Sequence, residues 1–269
     1  MSTDFRERLK EFYVQNSIHP QNFHCKNQKL CRSYAFQGKM TETKMSMVGS
    51  KYSIQYPKIV VVSLDPPSGQ TGIFSQPHQR TTEYIATAHE AENYTVDRKN
   101  PHWMMTQIIV KDLLSLWGYK AQPGSALVTE SYSGRIIENV SSFFAHVNVA
   151  KCSMNNPDRT QADEEVHMAC SRSYLKGELI ILEPEILITQ GAVANRILGY
   201  MLTGHLVEER DLPISKEASF GDHSFLWLPM HHPARQLAKI REDWPYYLRA
   251  VRKWRKDESE KHQPNENIG

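Results

Sequence analysis

The sequence predicts an α/β fold with a parallel sheet covered by helices on both sides. Two observations carry this. Short aliphatic or β-branched runs recur at 59–64, 143–149, 186–189 and 225–228, with the length and composition of buried strands. Between them lie segments of helical periodicity, at the spacing of βαβ units. The chain has 269 residues, 40% of them apolar, enough for one sizeable core.

The elements follow in order. Phe5, Leu9, Phe12 and Tyr13 share one face of a helix over 4–17. Residues 18–50 have little periodicity. The Ile59-Val60-Val61-Val62 run makes a buried strand, which Asp65-Pro66-Pro67-Ser68-Gly69 turns into a loop. Residues 68–100 are polar and without assignment. An amphipathic helix spans 102–117 and ends at Gly118. A second central strand covers 143–149. A helix over 163–183 is broken by Pro184 and carries Gly177 as a weak point. The strand at 186–189 leads through Gly191 into a helix from 192 to about 202. A last strand at 225–228 closes at Pro229, and 244–254 are the core of a final basic helix. The expected organisation is one domain over 1–256, with an insertion-like region at 68–143 and a flexible tail at 257–269.

Formal net charge is +2, with no apolar leader at the N-terminus and no run of membrane-spanning length. The expectation is a monomeric cytoplasmic protein without membrane contact. In that setting the four cysteines, spaced Cys25-x5-Cys31 and Cys152-x17-Cys170, read as ligands, core residues or redox groups rather than disulfides. Four thiolates suit an iron–sulfur cluster or structural zinc. Free buried thiols are the alternative.

In open parallel sheets, ligands gather beyond the carboxyl ends of the strands. Asp65, Asn148 and the pair His231-His232 stand at such ends. Asp65, held by two prolines, suits orienting water or stabilising positive charge, or simply forming a turn. Asn148 suits bidentate reading of a polar base edge, or a tie between loops. A histidine before Pro233 suits hydrogen bonding to a leaving anion, or a structural role. From Arg235 to Lys256 there are eight basic and two acidic residues. Arg235, Lys239, Arg252 and Lys253, with His231 beside them, suit a phosphate backbone, or a solvated helix face. Phe74 suits stacking on a base, or the core.

Several runs together resemble the uracil-DNA glycosylase superfamily, closest to its iron–sulfur family 4 branch. The closest is Asn148-Val149-Ala150-Lys151-Cys152, continuing through Asn155-Asn156-Pro157-Asp158-Arg159 to Cys170 and Tyr174-Leu175. Gly191 to Ala194 and His232-Pro233-Ala234 match further motifs. The resemblance is good over 144–200 and 225–255, moderate over 57–67 and poor across 68–143. It implies a three-layer α/β/α sandwich with a central, mainly parallel four-stranded sheet, and hydrolysis of N-glycosidic bonds in single-stranded or duplex DNA. It further implies Asp65 as the acidic group, Asn148 as the base reader and His232 as the group facing the departing base. Cys25, Cys31, Cys152 and Cys170 would ligate a [4Fe–4S] cluster.

The chain departs from the branch in two places. Ser63-Leu64-Asp65-Pro66-Pro67 replaces a Gly-Glu-Ala-Pro-Gly loop and is closer to the Gly-Gln-Asp-Pro-Tyr loop of uracil-specific enzymes. There a tyrosine blocks the thymine methyl group. Pro67 lacks that aromatic wall, so an enlarged or 5-modified base is an alternative target. The first cysteine pair is also wider than the branch's Cys-x2-Cys. A non-catalytic lesion-sensing relative and a zinc-stabilised nucleotide hydrolase remain the other readings.

Overall fold

The computed structural model describes residues 4–19, 23–35, 38, 40, 45–64, 101–121, 127–129, 136–154 and 162–261. Asp65, Pro67 and Phe74 lie outside the described residues, as does the tail beyond Lys261.

Helix α1 (Phe5–Gln15) starts where the Asp4 carboxylate accepts from the backbone N–H of Arg6 at 3.0 Å and of Glu7 at 3.4 Å. It buries Phe5, Leu9 and Tyr13. A short helix α2 (Gln28–Tyr34) follows, then strands β1 (Met47–Val48) and β2 (Ile59–Ser63). Helix α3 (Pro101–Ser115) opens on a proline, whose fixed φ suits a first helical turn. Strands β3 (Lys120–Ala121), β4 (Leu127–Thr129) and β5 (Ile136–Asn139) form a separate antiparallel sheet. Next comes β6 (Phe144–Asn148).

The predicted helix over 163–183 is two helices, α4 (Glu164–Cys170) and α5 (Lys176–Leu182), joined by a π-helical turn over Ser171–Leu175. Gly177 proves to be a contact point: a side chain there would meet the Phe12 ring of α1. The chain continues with β7 (Ile186–Gln190), α6 (Ala192–Thr203), β8 (Lys216–Phe220), β9 (His223–Met230) and α7 (Leu237–Lys261). Helix α7 contains the predicted core at 244–254 and starts before Pro245, because Ile240, Tyr247, Val251 and Trp254 bury one continuous stripe. Its last turn takes in residues 257–261 of the expected tail.

The main sheet has the order β1-β6-β2-β7-β9-β8. This corrects the four-stranded expectation: six strands form a mixed sheet. Its inner strands β6, β2, β7 and β9 are mutually parallel, while β1 and β8 pair antiparallel at the edges. Alternate residues of β2 serve opposite faces. Ile59 and Val61 join a cluster with Ile109 and Leu113 of α3 and Tyr247 and Val251 of α7. Val60 and Val62 join one with Phe5 and Leu9 of α1, Leu179 of α5 and Ile197 of α6. Helices therefore cover both faces. No described helix is long and apolar enough to cross a membrane.

Gly49 follows β1, where the chain crosses the residues before β6. Its N–H donates to the Phe144 carbonyl at 3.0 Å, and Lys51 N–H donates to the Ser142 carbonyl at 2.8 Å. A β-carbon on Gly49 would collide with the backbone of Ser141 and Ser142. Gly49→Ala is expected to lower stability by about 1–3 kcal/mol, the usual cost of forcing atoms into a packed region. Urea unfolding followed by circular dichroism measures this, and an unchanged midpoint would refute the close approach.

Candidate functional site at the carboxyl edge of the sheet

Parallel pairing brings the carboxyl ends of four strands to one edge. Ser63 of β2 lies level with Asn148 of β6, and Gln190 of β7 with Met230 of β9. From β2 the chain goes first to β6 on one side and later to β7 on the other. The boundary between β2 and β7 is therefore a topological switch point, where open α/β sheets place their ligands.

Asn148 ends β6 and is buried. The next residues are pinned to the end of β2: Val149 and Ala150 N–H donate to the Ser63 and Leu64 carbonyls, both at 2.8 Å. Lys151 folds back beneath them. Its Nζ donates to the Asn148 carbonyl and pairs with the Glu178 carboxylate of α5. The Lys151 and Glu178 side chains are 1% and 0% exposed, so each charge depends on the other. Glu178 also accepts from Tyr13 Oη, and from Ser46 Oγ at 2.9 Å. Burial first, then the Glu178 charge, holds the Tyr13 phenol well above its ordinary range. Tyr13 is thus a protonated donor. The lysine that sits beside Cys152 in sequence is a buried structural cation under the Asn148 main chain.

His232 follows β9 and is half-buried. Ala234 N–H donates to its Nδ1 at 3.2 Å. Burial first, then the Arg235 charge, lowers its pKa below the ordinary 6.5. A neutral ring that accepts at Nδ1 carries its proton on Nε2. The backbone thereby sets a single tautomer with Nε2–H as donor. Gly191, at φ 96°, borders the ring, and a β-carbon there would stand 3.4 Å from His232 Cδ2.

The sequence did not point to the rest of this edge. Ser63 Oγ lies 2.9 Å from His146 Nε2 and 3.4 Å from His102 Nε2, and donates to Gln190 Oε1 at 3.1 Å. Gln190 Nε2 donates to Thr106 Oγ1 at 2.9 Å. The rings of His102 and His232 are 5.3 Å apart between centroids. In the sequence, His146 lies within the run at 143–149, Ser63 within that at 59–64, and Gln190 just after that at 186–189, with no local signal of a site.

The basic residues divide. His231 is buried, 4% exposed, with Nε2 3.3 Å from the Asp243 carboxylate of α7, so it is turned into the protein rather than toward a phosphate backbone. Arg235 and Lys239 are exposed beside the site. Arg252 and Lys253 are exposed farther along α7, about 22 Å from its start at the standard helical rise. Near that far end Arg255 donates to the Leu116 carbonyl and lies 5.3 Å over the Trp117 ring, beyond the C-terminus of α3.

The four cysteines are buried and none is in a disulfide. Cys31 and Cys152 share one apolar cluster, and Cys25 and Cys170 share a neighbouring one, with Phe23 against both. Cys25 Sγ is 3.2 Å from Tyr174 Oη, and two sulfurs accept backbone N–H groups, Cys25 from Asn27 at 3.4 Å and Cys170 from Lys151 at 3.3 Å. Burial first, then nearby Cys25, pushes Cys31 up to about 11, and burial pushes Cys170 up to about 12 against the pull of Lys151. Such thiols ionise when a metal replaces the proton. Four soft sulfur donors with amide support fit the chemistry of a thiolate-held metal centre. Among the described residues, no three His, Cys, Asp or Glu stand together as a formed metal site.

Comparison of the chain with protein-family models and with curated proteins gives no match.

The Lys151–Glu178 pair yields a stability test. Glu178→Leu alone strands a buried ammonium and is expected to cost about 3–5 kcal/mol. Lys151→Met together with Glu178→Leu is expected to recover most of that. Equal losses in the single and double variants, read from urea midpoints, would show that the two charges do not compensate each other.

Proposed function

We propose that the protein is a monofunctional DNA glycosylase, which hydrolyses the N-glycosidic bond of uracil or a modified pyrimidine and leaves an abasic site. The carrying observation is the shared carboxyl edge of Asn148 and His232, with the His232 tautomer held by Ala234 N–H. A base reader and a neutral N–H donor are what departure of a pyrimidine anion requires. Arg235 and Lys239, exposed beside that edge, support a phosphate backbone as the partner.

The target nucleotide is flipped out of the stack, since its sugar carbon is otherwise out of reach. The Asn148 amide reads the polar edge of the base, while Lys151 and the ties to β2 hold the Asn148 main chain. As the C1′–N bond lengthens, positive charge grows on the deoxyribose and negative charge on the base. His232 Nε2–H hydrogen-bonds the departing base. Asp65, which follows β2 and Leu64 in the sequence, stabilises the sugar cation and orients water. The water oxygen bonds to C1′, and its proton balances the charge on the released base. Lys151, fully engaged with Glu178 and Asn148, is not a Schiff-base nucleophile in this scheme.

Cys25, Cys31, Cys152 and Cys170 would hold a [4Fe–4S] cluster, with zinc as the alternative occupant. Either would supply a cross-link between the N-terminal arm and the loop after β6, and no part of the hydrolysis.

Base release from single-stranded and duplex oligonucleotides carrying uracil, mismatched thymine or 5-modified pyrimidines tests the function directly. Asp65→Asn and His232→Ala are each expected to reduce it by about 10²-fold or more, with DNA affinity largely kept. Activity should also fall as pH drops through the lowered His232 pKa, because protonating Nδ1 removes the acceptor for Ala234 N–H. Full activity in both variants would rule out this mechanism. For the metal centre, Cys152→Ala is expected to lower both iron content and unfolding midpoint in anaerobically purified protein. Normal iron with normal stability would remove Cys152 from the ligand set, and zinc in place of iron would select the other occupant.

A further inference from the structure

His102 stands in the first turn of α3, in the region least similar to any family pattern. Its ring faces that of His232, with centroids 5.3 Å apart and planes inclined by 59°. Its Nε2 lies 3.4 Å from Ser63 Oγ, a long contact in hydrogen-bond terms. Ser63 Oγ is the hub of the surrounding circuit: it donates to Gln190 Oε1 at 3.1 Å, and it lies 2.9 Å from His146 Nε2 and 3.4 Å from His102 Nε2, contacts in which the tautomer of each ring sets the donor. Gln190 Nε2 donates to Thr106 Oγ1 at 2.9 Å, and Thr106 Oγ1 donates to the His102 carbonyl at 2.9 Å. The circuit thus closes on His102 itself, holding its ring through Ser63 and its backbone through Thr106.

We propose that His102 is a positioning residue for base release, which holds the His232 ring in its donor orientation and shields it from water. This rests on the glycosylase reading. His102 touches His232, and no contact of its own with the reacting atoms is required. Burial first, then His232, lowers the His102 pKa to about 4, so at neutral pH it adds bulk and direction to its neighbour without adding charge. Among the described residues, the other titratable or charged groups around the pair are His146 on β6, Arg235 beyond β9, and His231 paired with Asp243 of α7. The inference gives the middle of the 68–143 region a role: α3 brings His102 to the carboxyl edge. A loop group could not be held so firmly, because the same helix buries Ile109, Val110, Leu113 and Leu114 in the core.

The test uses the full chain with His102→Gln, His102→Phe and His102→Ala, each checked for cooperative unfolding. His102→Gln keeps an amide that can hydrogen-bond Ser63, His102→Phe keeps ring bulk without a hydrogen-bonding group, and His102→Ala removes both. For the Ala and Phe variants, kcat for base release should fall on the order of tenfold to a hundredfold, the scale of a misoriented group, with KM for DNA nearly unchanged. The Gln variant should restore most of the rate. The acid limb of the pH profile should move to higher pH in the Ala variant, as water reaches His232, and stay in place in the Phe variant. Imidazole nitrogen NMR of His232 reads the same tautomer and titration midpoint without substrate. Wild-type base release with unchanged kcat and acid limb in all three variants would overturn the inference and leave the glycosylase reading standing. Absence of base release in the wild type would overturn that reading instead. The NMR titration would then decide for His102: an unshifted His232 midpoint in the Ala variant counts against it.

Discussion

Strand β2 is the constraint on which the rest of the structure depends. All five of its residues are buried, and it is hydrogen-bonded in parallel to β6 on one side and β7 on the other. A strand with no solvent face needs a helical layer on each side, and parallel neighbours cannot be reached by hairpins. Both needs are met by the same crossovers, which return the chain each time to start a strand at the same end. The carboxyl ends therefore collect at one edge. Ser63, Asn148, Gln190 and His232 share that edge because β2 must be buried, and the strand order reverses between β2 and β7, where open α/β sheets place their ligands.

The buried Lys151–Glu178 pair binds a second set of elements to that edge. It connects α1 through Tyr13, the segment before β1 through Ser46, α5 through Glu178, and the end of β6 through the Asn148 carbonyl. Two charges withdrawn from water gain less than their Coulomb attraction implies, because desolvation opposes it. What this arrangement supplies is specificity of placement. A shift of the loop after β6 would leave an ammonium or a carboxylate buried and unpaired. Since the same loop carries Cys152, and Lys151 N–H donates to Cys170 Sγ at 3.3 Å, the cysteine region and the Asn148 backbone are held by one short stretch of chain.

At the edge itself, hydrogen bonds decide protonation. Ala234 N–H makes His232 Nδ1 an acceptor, and burial keeps the ring neutral. Ser63 donates to Gln190, and His146 and His102 both turn Nε2 toward the Ser63 hydroxyl. Three histidines that look equivalent in composition are thus distinct: His232 is half-buried beyond β9, His102 stands beside its ring, and His146 meets Ser63 from the strand interior. His231, next to His232 in sequence, faces the other way, onto Asp243.

Much of the fold was legible in the chain. The aliphatic runs of β2 and β7 and the glycine-led start of α6 are local patterns, and local patterns specify which face is buried. Elements with little apolar signal were not. β8 reads Lys-Glu-Ala-Ser-Phe and becomes a strand only because β9 offers it an edge across a Gly221-Asp222 turn. β1 has two residues and exists by pairing alone. Pro245 is unfavourable inside a helix, yet helix α7 passes through it because the buried stripe continues on either side. For the site, Asn148 and His232 stood out as polar residues following apolar runs. Ser63, Gln190 and His102 did not, because their partners lie 39 to 127 positions away. By itself the sequence determined the strands, the helices and the polar residues at their ends, since burial periodicity is a property of neighbours along the chain. Only the tertiary structure decided which of those polar groups face one another. That depends on strand order and register, which arise from contacts between distant segments.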